Sequence, residues 1–117
     1  MKRLVVYLAA PPYTSQLAEI ALDICEKALD KGYDVCLFLY MDGVHLPKRG
    51  QRPLCLPNAE RRLSTLIARG LRVFSCARCA GARGHGSSGY VHGVEVSSIY
   101  KLPELLKSGA KLIALGE

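Results

Sequence analysis

The chain has 117 residues, half of them hydrophobic, which suits one α/β-sized domain spanning residues 1–117 and leaves little room for a second. Sixteen basic against ten acidic residues give a net charge of +6, which favours anionic ligands or acidic partners without requiring them. No segment reaches the roughly 18 apolar residues of a membrane span, and the basic residues are not interleaved with aromatics in a nucleic-acid-binding pattern.

The N-terminus, "MKRLVVYLAAPP", opens like a secretory leader, but its apolar run is short and breaks at Pro11-Pro12. It reads instead as a first strand, Leu4 to Ala9, buried on both faces as in a parallel sheet. With no cleavage signal after it, the protein is expected in the cytoplasm. "PPYTSQ" turns the chain, and Thr14 or Ser15 can cap a helix. Leu17, Ala21, Ile24, Cys25, Ala28 and Leu29 recur at spacings of three and four and mark that helix's inner face, which Gly32 ends. "DVCLFLYM" is a second buried strand. The stretch "DGVHLPKRGQRPLCLPN" reads as a long loop in which Lys48, Arg49 and Arg52 can meet an acidic partner.

Asn58 can cap a second helix over 59–69, with Leu63, Leu66 and Ile67 inward and Gly70 as its stop. "LRVFSC" is a third strand. "YVHGVEVSSI" gives a short apolar segment, Pro103 stands in the first turn of a brief helix "PELLKSG", and "KLIALG" is the last strand. Strands alternate with helices throughout, so the expected fold is α/β, a mostly parallel sheet flanked by helices. Ligand chemistry on such sheets gathers beyond the carboxyl ends of the strands. The stretches 10–14, 42–45 and 75–89 meet that condition.

The third of these, "SCARCAGARGHGSSG", concentrates the chemistry. Cys76 and Cys79 have the spacing of half a zinc site, but no second half accompanies them: His85 and His92 are seven apart and there is no second CxxC. No metal and no cofactor are therefore assigned. The glycines resemble an anion nest yet lack the Gly-Lys-Ser/Thr ending of a P-loop. A reactive thiol accounts for more of the residues. A cysteine leaving a buried strand can sit at the start of the next helix, and Arg78, Arg83 and His85 add positive charge that favours the thiolate. A thioredoxin-like motif fits less well, because here CxxC follows the third strand and no cis-proline is placed opposite it. Of the remaining cysteines, Cys25 and Cys36 fall in apolar periodic segments and read as small buried hydrophobes. The odd total argues against a disulfide scaffold, and the role of Cys55 in the long loop stays open.

Nearly the whole chain resembles the DsrE/DsrF/TusD sulfur-relay family. The resemblance rests on "PPYTSQ" after the first strand, "FLYMDGV" ending the second, "FSC" ending the third, and the closing "GVEVSSIYKLPELLKSGAKLIAL". It implies a flavodoxin-like α/β domain that assembles as a trimer or hexamer, from one kind of subunit or several. It also implies that Cys76 carries sulfane sulfur as a persulfide between donor and acceptor proteins, with Arg78, Arg83 and His85 steadying the anion. Cys79 departs from the family pattern. Set one helical turn on, it shares a face with Cys76 and can itself be the carrier, or discharge the persulfide as a disulfide with release of sulfide. Two other readings stay open: a small-molecule or nucleotide-binding domain with incidental cysteines, and a non-catalytic structural subunit of a sulfur-transfer complex.

Overall fold

The computed structural model describes residues 2–107 and 109–116. Five parallel strands form one sheet in the order β4-β3-β2-β1-β5. They are β1 (Arg3–Leu8), β2 (Asp34–Leu39), β3 (Arg72–Cys76), β4 (Val94–Ser97) and β5 (Lys111–Leu115), joined by α1 (Leu17–Asp30), α2 (Ala59–Ala68), α3 (Ala77–Ala82) and α4 (Lys101–Leu106). The strands β1 and β2 are continuous apolar runs because both faces of the sheet are covered there. In a parallel sheet paired positions share a face, so Leu4, Val6 and Leu8 look toward the helix α1, while Arg3, Val5 and Tyr7 look the other way. On that other face lies α4, whose Leu105 carbonyl accepts from Arg3 Nη1 at 3.1 Å.

The helix ends follow local chemistry. The N-cap of α1 is Gln16 rather than the expected Thr14 or Ser15, although Ser15 Oγ accepts from the Leu17 amide at 3.1 Å just ahead of it, while at α2 Asn58 Oδ1 accepts from Arg61 N at 3.0 Å as an N-cap should. Gly32 and Gly70 take positive φ beyond α1 and α2. The fourth helix begins two residues ahead of Pro103. The proline is its third residue, still in the first turn where an amide has no partner within the helix. The expected helix over 103–109 includes residue 108, which lies outside the described residues.

Two elements were not legible as such. The apolar segment after Tyr90 is the edge strand β4, paired to β3 from Val73↔Val94 to Cys76↔Ser97. The expected loop after β2 opens with a 3₁₀ turn, Met41–His45. Gly43 in this turn is pressed against β1: a Cβ there would stand 2.3 Å from the Leu8 carbonyl oxygen. Only glycine allows that approach.

Candidate functional site

Cys76 is the last residue of β3 and the N-cap of α3, with extended backbone at φ −61°, ψ 122°. The change from strand to helix follows from composition: "ARCAGA" has no β-branched residue and little bulk to oppose a tight turn. Gly84, at φ +77°, ends α3 in a Schellman motif, with Gly84 N bonded to Gly81 O (3.1 Å) and His85 N to Ala80 O (2.8 Å). Cys79 is the third residue of α3, three positions beyond its N-cap Cys76, and Cys76 acts on its thiol. Both are buried, at 2 % and 7 % exposure, and both are free thiols.

Cys76 forms part of a cleft of about 330 Å³, walled by Tyr40, Ala77, Arg78, Ser98, Ile99 and Tyr100. A larger groove of about 410 Å³, at the flank of α1 and β5, contains no thiol. Arg78 therefore stands beside Cys76 at an exposed rim. Next to Cys76 on the neighbouring strand, and on the same face of the sheet, is Ser97. Its hydroxyl oxygen is buried without a hydrogen-bond partner among the described residues. Such groups are uncommon in native folds and call for a reason. Sequence reasoning missed Ser97, because a serine in a short edge strand carries no periodic or spacing signal.

The "DGV" stretch holds the far side of the site. Asp42 Oδ1 accepts from Arg83 Nε at 2.8 Å, while Arg83 Nη1 donates to the Cys79 carbonyl at 3.1 Å. The Arg83 hydrogen bond holds the Asp42 carboxyl below its ordinary pKa and raises that of Arg83 in return. Val44 is buried, and its carbonyl accepts from the Tyr90 hydroxyl at 2.6 Å. With that proton committed, Ser75 Oγ, fully buried behind Cys76, donates to Tyr90 Oη at 3.0 Å. The backbone of Tyr90 in turn accepts from Arg49 Nε at 2.6 Å, and Val91 N bonds Pro47 O at 2.9 Å. One buried tyrosine thus joins the long loop, the 3₁₀ turn and the exit of β3.

The titrating groups depart from simple charge counting. Burial first, and the neighbouring Cys76 with it, push the Cys79 thiol above its ordinary pKa, against the opposing Met41 amide and Arg83. The cations around the stretch do not win at this thiol, because desolvation of the charged form outweighs them. His85 is drawn away from the thiols. Its Nε2 stands 2.7 Å from His45 Nδ1, and its ring packs on Tyr90 at 5.6 Å between centroids. Burial, then the charges of His45, Lys48 and Arg83, lower its pKa, so it is a neutral ring at pH 7 rather than an added cation. Burial also raises the pKa of Tyr7, with Tyr40, Cys79 and Cys76 adding to it, which keeps a protonated phenol close to the thiols.

The structure brings Cys76, Cys79, Arg78 and Arg83 together and sets His85 against the 3₁₀ turn. Of the loop cations, Arg49 is used by Tyr90, while Lys48 and Arg52 are exposed. Cys55 is exposed at a loop tip between Leu54 and Leu56, away from the cleft-lining residues. Among the described residues no group of three or more histidine, cysteine or acidic side chains is placed to hold a metal. No helix there is long and apolar enough to cross a membrane.

A parallel, doubly covered sheet with two buried thiols at the carboxyl end of β3 defines a thiol-bearing α/β domain. Comparison with known proteins makes this specific. The DsrE/DsrF-like family model matches residues 2–115, and the chain belongs to that family. An uncharacterized protein of Methanopyrus kandleri, MK0008, is 34 % identical over 92 % of this chain and 89 % of its own. Protein YchN of Escherichia coli strain K12 is 28 % identical over 97 % and 98 %. The crystal structure of the Escherichia coli protein superposes with a TM-score of 0.91 at 27 % identity, covering 97 % of this chain and 99 % of that one. A protein of unknown function from Methanobacterium thermoautotrophicum, MTH1491, shares the fold at a TM-score of 0.78 and 18 % identity, covering 97 % and 99 %.

Proposed function

We propose that this protein is a sulfur carrier in which Cys76 holds sulfane sulfur as a persulfide and passes it to a partner protein's thiol. The observation that carries the reading is the position of Cys76. It is a thiol at a strand exit, opening on a cleft, and on the adjacent strand lies the Ser97 hydroxyl, without a hydrogen-bond partner among the described residues. In the reaction the Cys76 thiolate attacks the outer sulfur of a donor persulfide, and the donor leaves as a thiolate. An acceptor thiolate then attacks the outer sulfur on Cys76, which leaves as a thiolate in its turn. Arg78 at the cleft rim steadies the anionic persulfide. Ser97 donates to the outer sulfur, which extends beyond the reach of the bare thiol.

The partners are proteins that present a persulfide or a thiol. Met41, Ile99 and Tyr100 are exposed, Tyr100 at 78 %, and Ile99 and Tyr100 line the cleft. They support contact with another subunit or a relay partner; the family resemblance adds a trimeric or hexameric assembly, and the protein is proposed to work in the cytoplasm. Light scattering of the purified protein tests the assembly. Intact mass after exposure to glutathione persulfide tests the carrier role. Wild type gains one sulfur and Cys76→Ser gains none; equal uptake by the two would refute the assignment.

A further inference from the structure

This inference rests on Cys76 as carrier and concerns what happens when no acceptor arrives. We infer that Cys79 is a resolving thiol, so that the protein has a second activity: it reduces its own bound sulfane sulfur to sulfide and is left with a Cys76–Cys79 disulfide.

Position makes the step possible. Cys76 caps α3 and Cys79 is its third residue. Side chains three apart at a helix start are about 5–6 Å apart at Cβ, and a modest approach closes the bridge. Cys76 already acts on the Cys79 thiol and helps to raise its pKa. Cys76 lines the cleft and Cys79 does not, so Cys79 approaches from the protein side while an acceptor enters from the open side.

Two neighbours of Cys79 oppose the burial that holds its thiol protonated. The Met41 backbone amide and the Arg83 charge favour its thiolate, against burial. Met41 holds that amide with φ +49°, a left-handed backbone that a methionine seldom adopts. The Arg83 guanidinium, fixed by Asp42, is bonded to the carbonyl of Cys79 itself. Burial keeps Cys79 protonated near neutral pH, which leaves time for transfer before resolution.

The step balances. Cys79 loses its proton to solvent, and its sulfur attacks the inner sulfur of the Cys76 persulfide. The Sγ–Sγ bond forms, the bond to the outer sulfur breaks, and the outer sulfur leaves as hydrosulfide with the electron pair. The sulfane sulfur gains two electrons, and the two cysteines lose them in becoming a disulfide. A dithiol reductant returns the pair to thiols and is oxidised in its place.

The test uses the full chain, loaded anaerobically with glutathione persulfide and then freed of donor. Released sulfide and intact mass are followed over time for wild type and Cys79→Ser. Wild type is expected to release sulfide and pass from one added sulfur to a species two hydrogens lighter than the reduced chain. Dithiothreitol restores that species. Cys79→Ser is expected to keep its added sulfur and release no sulfide. If both proteins hold the sulfur equally long and no Cys76–Cys79 disulfide maps by peptide mass, Cys79 does not resolve, although the carrier reading stands. If Cys79→Ser is folded by circular dichroism yet takes up no sulfur, the carrier reading itself fails and this inference with it.

Discussion

Replacing Tyr90 by phenylalanine tests how the site is held together. The ring is fully buried, and its hydroxyl donates to Val44 O and accepts from Ser75 Oγ. Phenylalanine keeps the apolar volume and removes both bonds. Ser75 Oγ, itself fully buried, is then left without a partner, and the Val44 carbonyl loses its donor. Each orphaned group costs about 1–3 kcal/mol, so Tyr90→Phe should destabilise the fold by about 2–6 kcal/mol. Ser75→Ala alone removes a donor while the Tyr90–Val44 bond survives, for a loss of about 1 kcal/mol. In the double variant the serine hydroxyl is gone and only Val44 is orphaned, so the loss should be about 2 kcal/mol, below the sum of the singles. Urea unfolding of the four proteins gives each value from its midpoint at constant slope. A Tyr90→Phe loss under about 0.5 kcal/mol, or strict additivity in the double variant, would refute the reasoning.

Gly43→Ala should cost at least about 2 kcal/mol, since its Cβ would meet the Leu8 carbonyl at 2.3 Å and β1 cannot yield; a urea midpoint matching wild type would contradict this. Ser97→Ala removes a buried hydroxyl that has no partner among the described residues, so stability should hold or rise by up to about 1 kcal/mol while the persulfide on Cys76 becomes shorter-lived. A longer-lived persulfide would remove Ser97 from the mechanism. Iodoacetamide should label exposed Cys55 first in the native protein, and Cys25, buried and pushed up to about 12, only after unfolding; peptide mapping over time checks the order. His85 gives a pH dependence. Its folded pKa is depressed, so its contribution to stability is complete above about pH 6.5 and is lost as pH falls from there through the folded value. His85→Gln should therefore lose less stability than wild type between about pH 7.5 and pH 5, and parallel losses in urea titrations would count against the assignment.

The main elements were legible because their signals are local. Apolar runs marked β1 and β2, three-and-four spacing marked α1, and Asn58 and Gly70 marked the ends of α2. The "DGV" stretch stood out by resemblance, but its work could not be read, since its partners are distant in the chain. Val44 meets Tyr90 across 46 positions, and Asp42 meets Arg83 across 41. The thiols were found by spacing and position after a strand. Their electrostatics were not, because a count of nearby arginines omits burial, and at Cys79 burial decides the direction. His85 looked like a free loop cation, and only the fold puts His45 and Tyr90 against it. Ser97 became visible only when the register placed it beside Cys76.

The strand order also has a bearing on how the chain reaches this state. From β1 to β4 each new strand is laid beside the last, so the cleft residues from Tyr40 to Tyr100 come from consecutive units. The strand β5 instead closes against β1, pairing Leu4 with Lys111 at the opposite end of the chain. Loop closure over so long a span is entropically unfavourable until the intervening strands have drawn the ends together. The cleft-bearing half of the sheet is therefore expected to gain protection from hydrogen exchange ahead of β5 during refolding. Its thiols come into register early, when an oxidant would trap Cys76 with Cys79 more readily than with the distant Cys25 or Cys36.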